Sequence, residues 1–227
     1  AHVAASAACM DKTITKLIAG HAGVRQADWM LVTADEFEHS RAQTLAALEA
    51  HFSYPVFVKP AGTGSSVGVS KARSGEELAH ALEAALKYDR KVLVEEFIDG
   101  QEVEVAVLGN DNPFASVCGE IDAGADFYDY EAKYISDCAD LYIPARISEE
   151  ASEQVRETAV RVYQAMGCRG LSRVDFFVTR EGQEVVFNEI NTIPGFTSIS
   201  MYPKLFEASG IPYGELLDNL LALALDE

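Results

Sequence analysis

Asp175, Glu189 and Asn191 are residues whose types and spacing promise chemistry. Glu189 and Asn191 stand two apart in an apolar run that includes Val185, Val186, Phe187 and Ile190, so on a strand both side chains leave from one face. A core strand ordinarily avoids an acid, because a buried charge must be paired or bound to a metal. Oxygen donors on a shared face suit a hard cation such as Mg²⁺, which takes carboxylates together with substrate phosphates. The same residues also suit the solvated face of an edge strand, and this stretch leaves both readings open.

The preceding run, residues 171–178, alternates strictly, with Arg173, Asp175 and Phe177 on one side. Glu181-Gly182-Gln183 then reads as a hairpin connection, with Gly182 free to take a positive φ. A three-residue connection sets Asp175 opposite Glu189 and Arg173 opposite Asn191. A two-residue connection sets Asp175 opposite Asn188 and turns Glu189 to the other face. The odd loop gathers two carboxylates, an amide and an arginine on one surface. Like charges opposite one another repel, and a metal between them relieves the repulsion.

A second group is built around lysines. Residues 55–60 read as a short buried strand carrying Lys59, followed by the glycines and small hydroxyls of residues 61–69. The amides of such a segment approach phosphate closely. It is not a Walker loop, because the lysine precedes the glycines and no helix follows directly.

The elements that position these groups are legible from periodicity and punctuation. Residues 1–11 read as an Ala-rich tail ending in Asp11, an N-cap for a helix from Lys12 to about Gly20. Trp29–Thr33 is a strand and residues 40–52 an amphipathic helix. Residues 74–88 form a helix with a Ser74/Glu77 capping box, and residues 91–98 a strand. Residues 103–108 and 114–121 pair around the turn at residues 110–113. Residues 148–166 and Tyr213–Leu225 are helices. The tyrosine-rich stretch 123–134 lacks periodicity, and long aromatic loops of this kind are usually functional.

The chain has 227 residues and a formal net charge of −18, which argues against nucleic acid as a partner. An anionic ligand then needs concentrated lysines, backbone amides and a metal. No apolar run approaches a membrane span. Cys9, Cys118, Cys138 and Cys168 form no Cys-x-x-Cys pair, and their scatter points to reduced thiols in the cytoplasm.

Ser172-Arg173-Val174-Asp175, the run from Asn188 to Thr197, and Lys59-Pro60-x-x-x-Gly64-Ser65-Ser66-x-Gly68 resemble the motifs of the D-alanine–D-alanine ligase family. So do Met10-Asp11-Lys12 and the run from Tyr128 to Tyr134. The resemblance implies an α+β ATP-grasp fold, with ATP between the antiparallel sheets of two α+β subdomains. A lid at 12–100 would face a larger subdomain at 101–227 with a catalytic loop at 122–138, and the family's N-terminal domain would be absent. Lys12, Lys59, Lys133 and the amides of Gly64, Ser65 and Ser66 would meet the phosphates. Glu95, Glu96, Phe97 and Ile98 would form the adenine edge, and Glu102 would hold the ribose. Asp175, Glu189 and Asn191 would hold Mg²⁺ or Mn²⁺. Arg173 and the Gly195 amide would stabilise an oxyanion, Ser200 would bind the second D-alanine, and Ser65 would hydrogen-bond Tyr134, which lines the substrate pocket. Met201, where D-serine-adding relatives carry arginine, and the Lys133-Tyr134 pair, which D-lactate-adding relatives lack, point to D-alanine as acceptor. The partners implied are ATP and D-alanine, with a homodimer for the full-length protein. A ligase with another acceptor and a non-catalytic nucleotide-binding module are the alternatives.

Overall fold

Two antiparallel sheets, each backed by helices, meet at a cleft in the computed structural model, which describes residues 1–122 and 140–226. β1 (Trp29–Thr33), β2 (Val56–Pro60), β3 (Ser70–Ala72) and β4 (Lys91–Glu96) make the smaller sheet, in the order β1-β4-β2-β3. β5 (Gly100–Gly109), β6 (Phe114–Asp122), β7 (Asp140–Tyr142), β8 (Gly170–Thr179) and β9 (Val185–Asn191) make the larger, in the order β7-β6-β5-β8-β9. Three residues, 97–99, join β4 to β5 and so carry the chain from one sheet to the other.

The smaller sheet buries alternate residues. Val56 and Val58 face a core shared with Leu48 of α3 (Ala34–His51) and Leu78 and Leu82 of α4 (Gly75–Ala85). Period-2 alternation therefore turns Phe57 and Lys59 to the opposite face, toward the cleft. α3 starts six residues earlier than its apolar pattern suggests and bends at non-helical Ser40. The reciprocal capping box belongs to Thr33 and Glu36 at its start. At α4 only half of the expected box forms. Ser74 accepts from the Glu77 amide, whereas the Glu77 carboxylate accepts from Arg73 rather than Ser74.

The larger sheet is covered on both faces. One face packs Val103, Val174 and Phe176 against the stripe Val155, Ala159 and Val162 of α5 (Glu149–Ala165). The other packs Ala106 and Leu108 against α6 (Met201–Ala208) and Leu216 of α7 (Tyr213–Leu225). Gly119 permits this second contact, since a Cβ there would lie 2.8 Å from Leu205.

Three expectations change. Residues 3–10 are not a tail but helix α1 (Val3–Met10), whose Ala5 and Cys9 are buried in the larger core. α2 (Lys12–His21), capped by Asp11 as expected, packs Ile18 and Ala19 into that same core. The packing thus joins the segment expected to open the lid to the body instead. Finally, the β8–β9 connection has four residues, 180–183, between hydrogen-bonded Thr179 and Glu184. A bulge at Asn188 then shifts the ladder by one. The shift restores Asp175 opposite Glu189 and Arg173 opposite Asn191, the pairing expected of an odd loop, by another route.

Candidate active site

The cleft between the sheets has a volume of about 880 Å³, within the range of small-molecule sites. Lys12, Lys59, Gly64, Ser65, Ser66 and the segment from Glu95 to Ile98 line it, as do Glu102 and Glu189. These are most of the nucleotide residues expected from sequence. Lys133 and Tyr134, with the expected Ser65–Tyr134 bond, lie outside the described residues.

One wall of the cleft is cationic. Lys12 Nζ donates to Thr63 O at 2.6 Å, tying the start of α2 to the glycine-rich segment, and stands 4.0 Å from Glu189. In that segment Ser65 and Ser66 both have left-handed backbones, φ 53° and 59°. Two consecutive non-glycine residues there are uncommon and cluster at functional sites. Lys71, which sequence reasoning missed, stands 4.1 Å above the Phe97 ring, and Phe57 lies 6.2 Å from that ring. The pair leaves an aromatic surface at the sheet junction, and the only sequence signal for Lys71 was its place on a short strand beyond the glycines.

Behind Lys59 lies a buried ion network. Lys59 Nζ donates to Glu95 at 2.7 Å and to Asn188 at 3.3 Å, while Lys16 Nζ stands 3.2 Å from the other Glu95 oxygen. Burial pushes the Glu95 carboxyl up, but Lys59 and Lys16 outweigh it and hold the pKa at about 2. Burial pushes Lys16 down against the pull of Glu95. The Glu95 side chain thus holds both lysines while itself lining the cleft. Glu96 is engaged as well. Its amide donates to Asp28 O and its carboxylate accepts from the Asp28 amide.

The larger sheet carries an acidic row, of which Glu189 lines the cleft. Glu104, Asp175 and Glu189 stand side by side across β5, β8 and β9. Glu104 and Asp175 are buried, at 7% and 8% exposure. Arg173 grips Asp175 with two bonds of 2.7 Å and reaches Glu104 at 3.2 Å. Burial works against its charge, but Asp175 and Glu104 hold the guanidinium well above its usual pKa. Asn191 donates to Asp175 at 3.1 Å and to Glu189 at 3.4 Å. As a donor set, two carboxylates and a carboxamide on one face fit a hard divalent cation, with the Asn191 amide turned to present its oxygen. Glu104 was missed because the residues it meets, Asp175 and Arg173, lie on a strand distant in sequence. At the far side of the cleft Arg146 binds Glu120 and Asp122, both at 2.7 Å, another feature that sequence reasoning missed.

Farther along, Ser200 Oγ accepts from the Thr197 amide at 3.0 Å, and a Cβ at Gly195 would come within 2.8 Å of that oxygen. Ser200 and Gly195 are thus held together in one turn. Met201 is displaced from its expected role. The first turn of α6 directs it into the core beneath Gly119, where it is 6% exposed; like Arg173, Asp175, Asn191, Gly195 and Ser200, it is not among the residues that line the cleft.

The family model for the D-Ala D-Ala ligase C-terminus matches residues 18–222. The chain belongs to the D-alanine–D-alanine ligase family. It is 54% identical over 224 residues to the D-alanine–D-alanine ligase of Chlorobium phaeovibrioides, an alignment covering 99% of this chain and 62% of that protein. It is 55% identical over 223 residues to the same-named protein of Acetivibrio thermocellus, covering 98% and 59%. The chain therefore spans about three-fifths of the length of these curated relatives. The VanG D-Ala:D-Ser ligase of Enterococcus faecalis superposes with a TM-score of 0.87 at 40% identity, covering 97% of this chain and 63% of that one. The D-alanine-D-alanine ligase of Coxiella burnetii gives 0.84 at 38%, covering 100% and 59%. The fold is α+β ATP-grasp, as the motifs implied. No helix among the described residues is long and apolar enough to cross a membrane.

Proposed function

We propose that the chain is the ATP- and metal-binding part of a ligase that joins two D-alanines for peptidoglycan synthesis. The observation that carries this reading is that Lys12 and Lys59 line one cleft together with Glu189, which stands next to Asp175 and Glu104 in an acidic row across the larger sheet. A polyphosphate and a divalent cation together complement both groups. Lys12, Lys59 and the amides of residues 64–66 would orient the phosphates, Phe57 and Phe97 the base, and Glu102 the ribose. Asp175, Glu189 and Asn191 would hold Mg²⁺, which when bound neutralises phosphate charge.

In this reading the carboxylate of the first D-alanine takes the γ-phosphoryl group to give an acyl phosphate. The amine of the second D-alanine attacks the acyl carbon, losing its proton as the amide forms and phosphate departs. Arg173 and the Gly195 amide would face the developing oxyanion, and positioning with charge neutralisation supplies most of the rate. Lys133 and Tyr134 belong to this proposal from their motif alone. D-Alanine as acceptor rests on the names of the curated relatives, since buried Met201 no longer speaks for it. Free, buried Cys9, Cys118 and Cys168 support a cytoplasmic setting, and a homodimer of the full-length protein belongs to the same reading.

The test is a thermal shift of this chain with Mg·ATP, beside product analysis of the full-length protein given D-alanine, D-serine and D-lactate together. A nucleotide-dependent shift and D-alanyl-D-alanine as main product are expected. No shift would remove the nucleotide reading, and a D-serine or D-lactate product would reassign the acceptor.

A further inference from the structure

Lys16 is a fully internal lysine, 2% exposed, that reaches across the molecule. It sits on α2 one turn beyond Lys12, and α2 packs into the core of the larger sheet. Its ammonium nonetheless meets Glu95, on a strand of the lid, at 3.2 Å and the Ala27 carbonyl at 3.4 Å. Glu95 is itself 3% exposed, and its second oxygen holds Lys59 at 2.7 Å. One buried carboxylate therefore serves two ammonium groups, only one of which lines the cleft.

We propose that Lys16 is a positioning residue that sets the charge Lys59 presents to nucleotide phosphates. The inference rests on the nucleotide reading above and deepens it. A lysine that is to meet phosphate needs both a fixed position and an uncancelled charge. Glu95 supplies the position, because a direct hydrogen bond restrains a long, mobile side chain. Alone, it would also cancel the charge, leaving a neutral pair facing the phosphates. Lys16 balances Glu95 from behind, so the three groups together keep a net single positive charge at the cleft. In a low-dielectric setting that charge acts at a distance far more strongly than it would in water. The interaction also spans the two sheets, so the charge is complete only while α2 and β4 stay in register.

Two variants of this chain separate charge from architecture. Lys16→Met retains length and removes charge, leaving Glu95 paired with Lys59. Lys16→Met/Glu95→Gln removes both buried charges and returns the site to a single positive one. Each is titrated by calorimetry with adenosine and, in Mg²⁺, with ATP. The single variant is expected to lose about tenfold in ATP affinity and no more than about twofold for adenosine, on the order set by one unit charge at this range. The double variant is expected to recover most of the ATP loss. Equal losses for adenosine and ATP, or a double variant that binds ATP no better than the single one, would overturn the proposal. If thermal melting shows the single variant unfolded, the double variant decides. A wild-type preference for ATP over adenosine supports the charge role, and a fallen preference overturns it. Failure of the unmodified chain to bind ATP would instead remove the nucleotide reading, a result distinguishable from every outcome above.

Discussion

Two charged clusters at the cleft handle buried charge in opposite ways. Around Glu95 two lysines enclose one carboxylate, and the surplus is positive. On the sheet side one arginine pairs with two of three carboxylates set side by side, the third stands 4.0 Å from Lys12, and the surplus is negative. Taking charges out of water is expensive, and neither cluster would persist for stability alone, since apolar residues of the same volume often serve as well or better. Each surplus is instead a standing demand for a counter-charge from outside the chain, an anion at one cluster and a cation at the other. A magnesium–nucleotide complex supplies both.

The sharpest way to break this contrast is at Arg173. Replacing it with methionine leaves buried Glu104 and Asp175 without the guanidinium that now contacts both. Removing one partner of a buried pair typically costs about 3–5 kcal/mol. Arg173→Met is expected to lower the unfolding free energy in urea by that amount, with part of the loss recovered in millimolar Mg²⁺. A loss below about 1 kcal/mol would mean that the acids are neutralised by other means.

The acidic row also shows where the sequence was legible. Alternation along β8 put Arg173 and Asp175 on one face, and hairpin logic found Glu189 and Asn191 opposite them. The bulge went unseen because pairing was counted from the turn alone, although the core positions Val185, Phe187 and Ile190 slip by one between the second and third. The Glu95 cluster was half legible. Lys59 announced itself beside a glycine-rich segment, whereas Lys16 carries no local mark of burial, since its partner Glu95 lies on a distant strand. Met201 misled because it adjoins Ser200 in sequence, and one step at a helix start separates a cleft residue from a core residue. α1 was read as a tail because alanine buries little area, yet small side chains are what let its Ala5 and Cys9 sit close against the sheet.

A smaller effect, read in the pH dependence of stability, sharpens the Glu95 side. Glu95 is depressed from 4.5 to about 2 in the folded state, so its stabilisation is fully present above pH 4.5. It drains away as pH falls through that interval toward 2. The full shift corresponds to about 3 kcal/mol, of which the upper half of the window is accessible before general acid unfolding. The unfolding free energy of the parent chain should therefore fall more steeply below pH 4.5 than that of Lys16→Met/Glu95→Gln. Parallel curves between pH 5 and 3 would show that the carboxylate is not held in this way.

The subtlest change falls on Glu189, and its value lies in a change of sign. Glu189 is the most exposed acid of its row, at 33% for the side chain, and it stands directly opposite Asp175. A like-charged pair in that position costs roughly 0.2–1 kcal/mol. Glu189→Gln removes the repulsion and keeps a side chain of the same length for the Asn191 amide, and the 4.0 Å approach to Lys12 that it also gives up is a long, partly exposed pair worth little. Without metal, the variant should be as stable as the parent or slightly more so, by less than about 1 kcal/mol. With Mg·ADP the order should reverse, because a carboxylate ligand of the cation is gone and ligand-induced stabilisation follows affinity. Thermal melts with and without Mg·ADP measure both arms. A carboxylate that served only the fold would make the variant less stable in both conditions by the same amount, and that result would detach Glu189 from the metal.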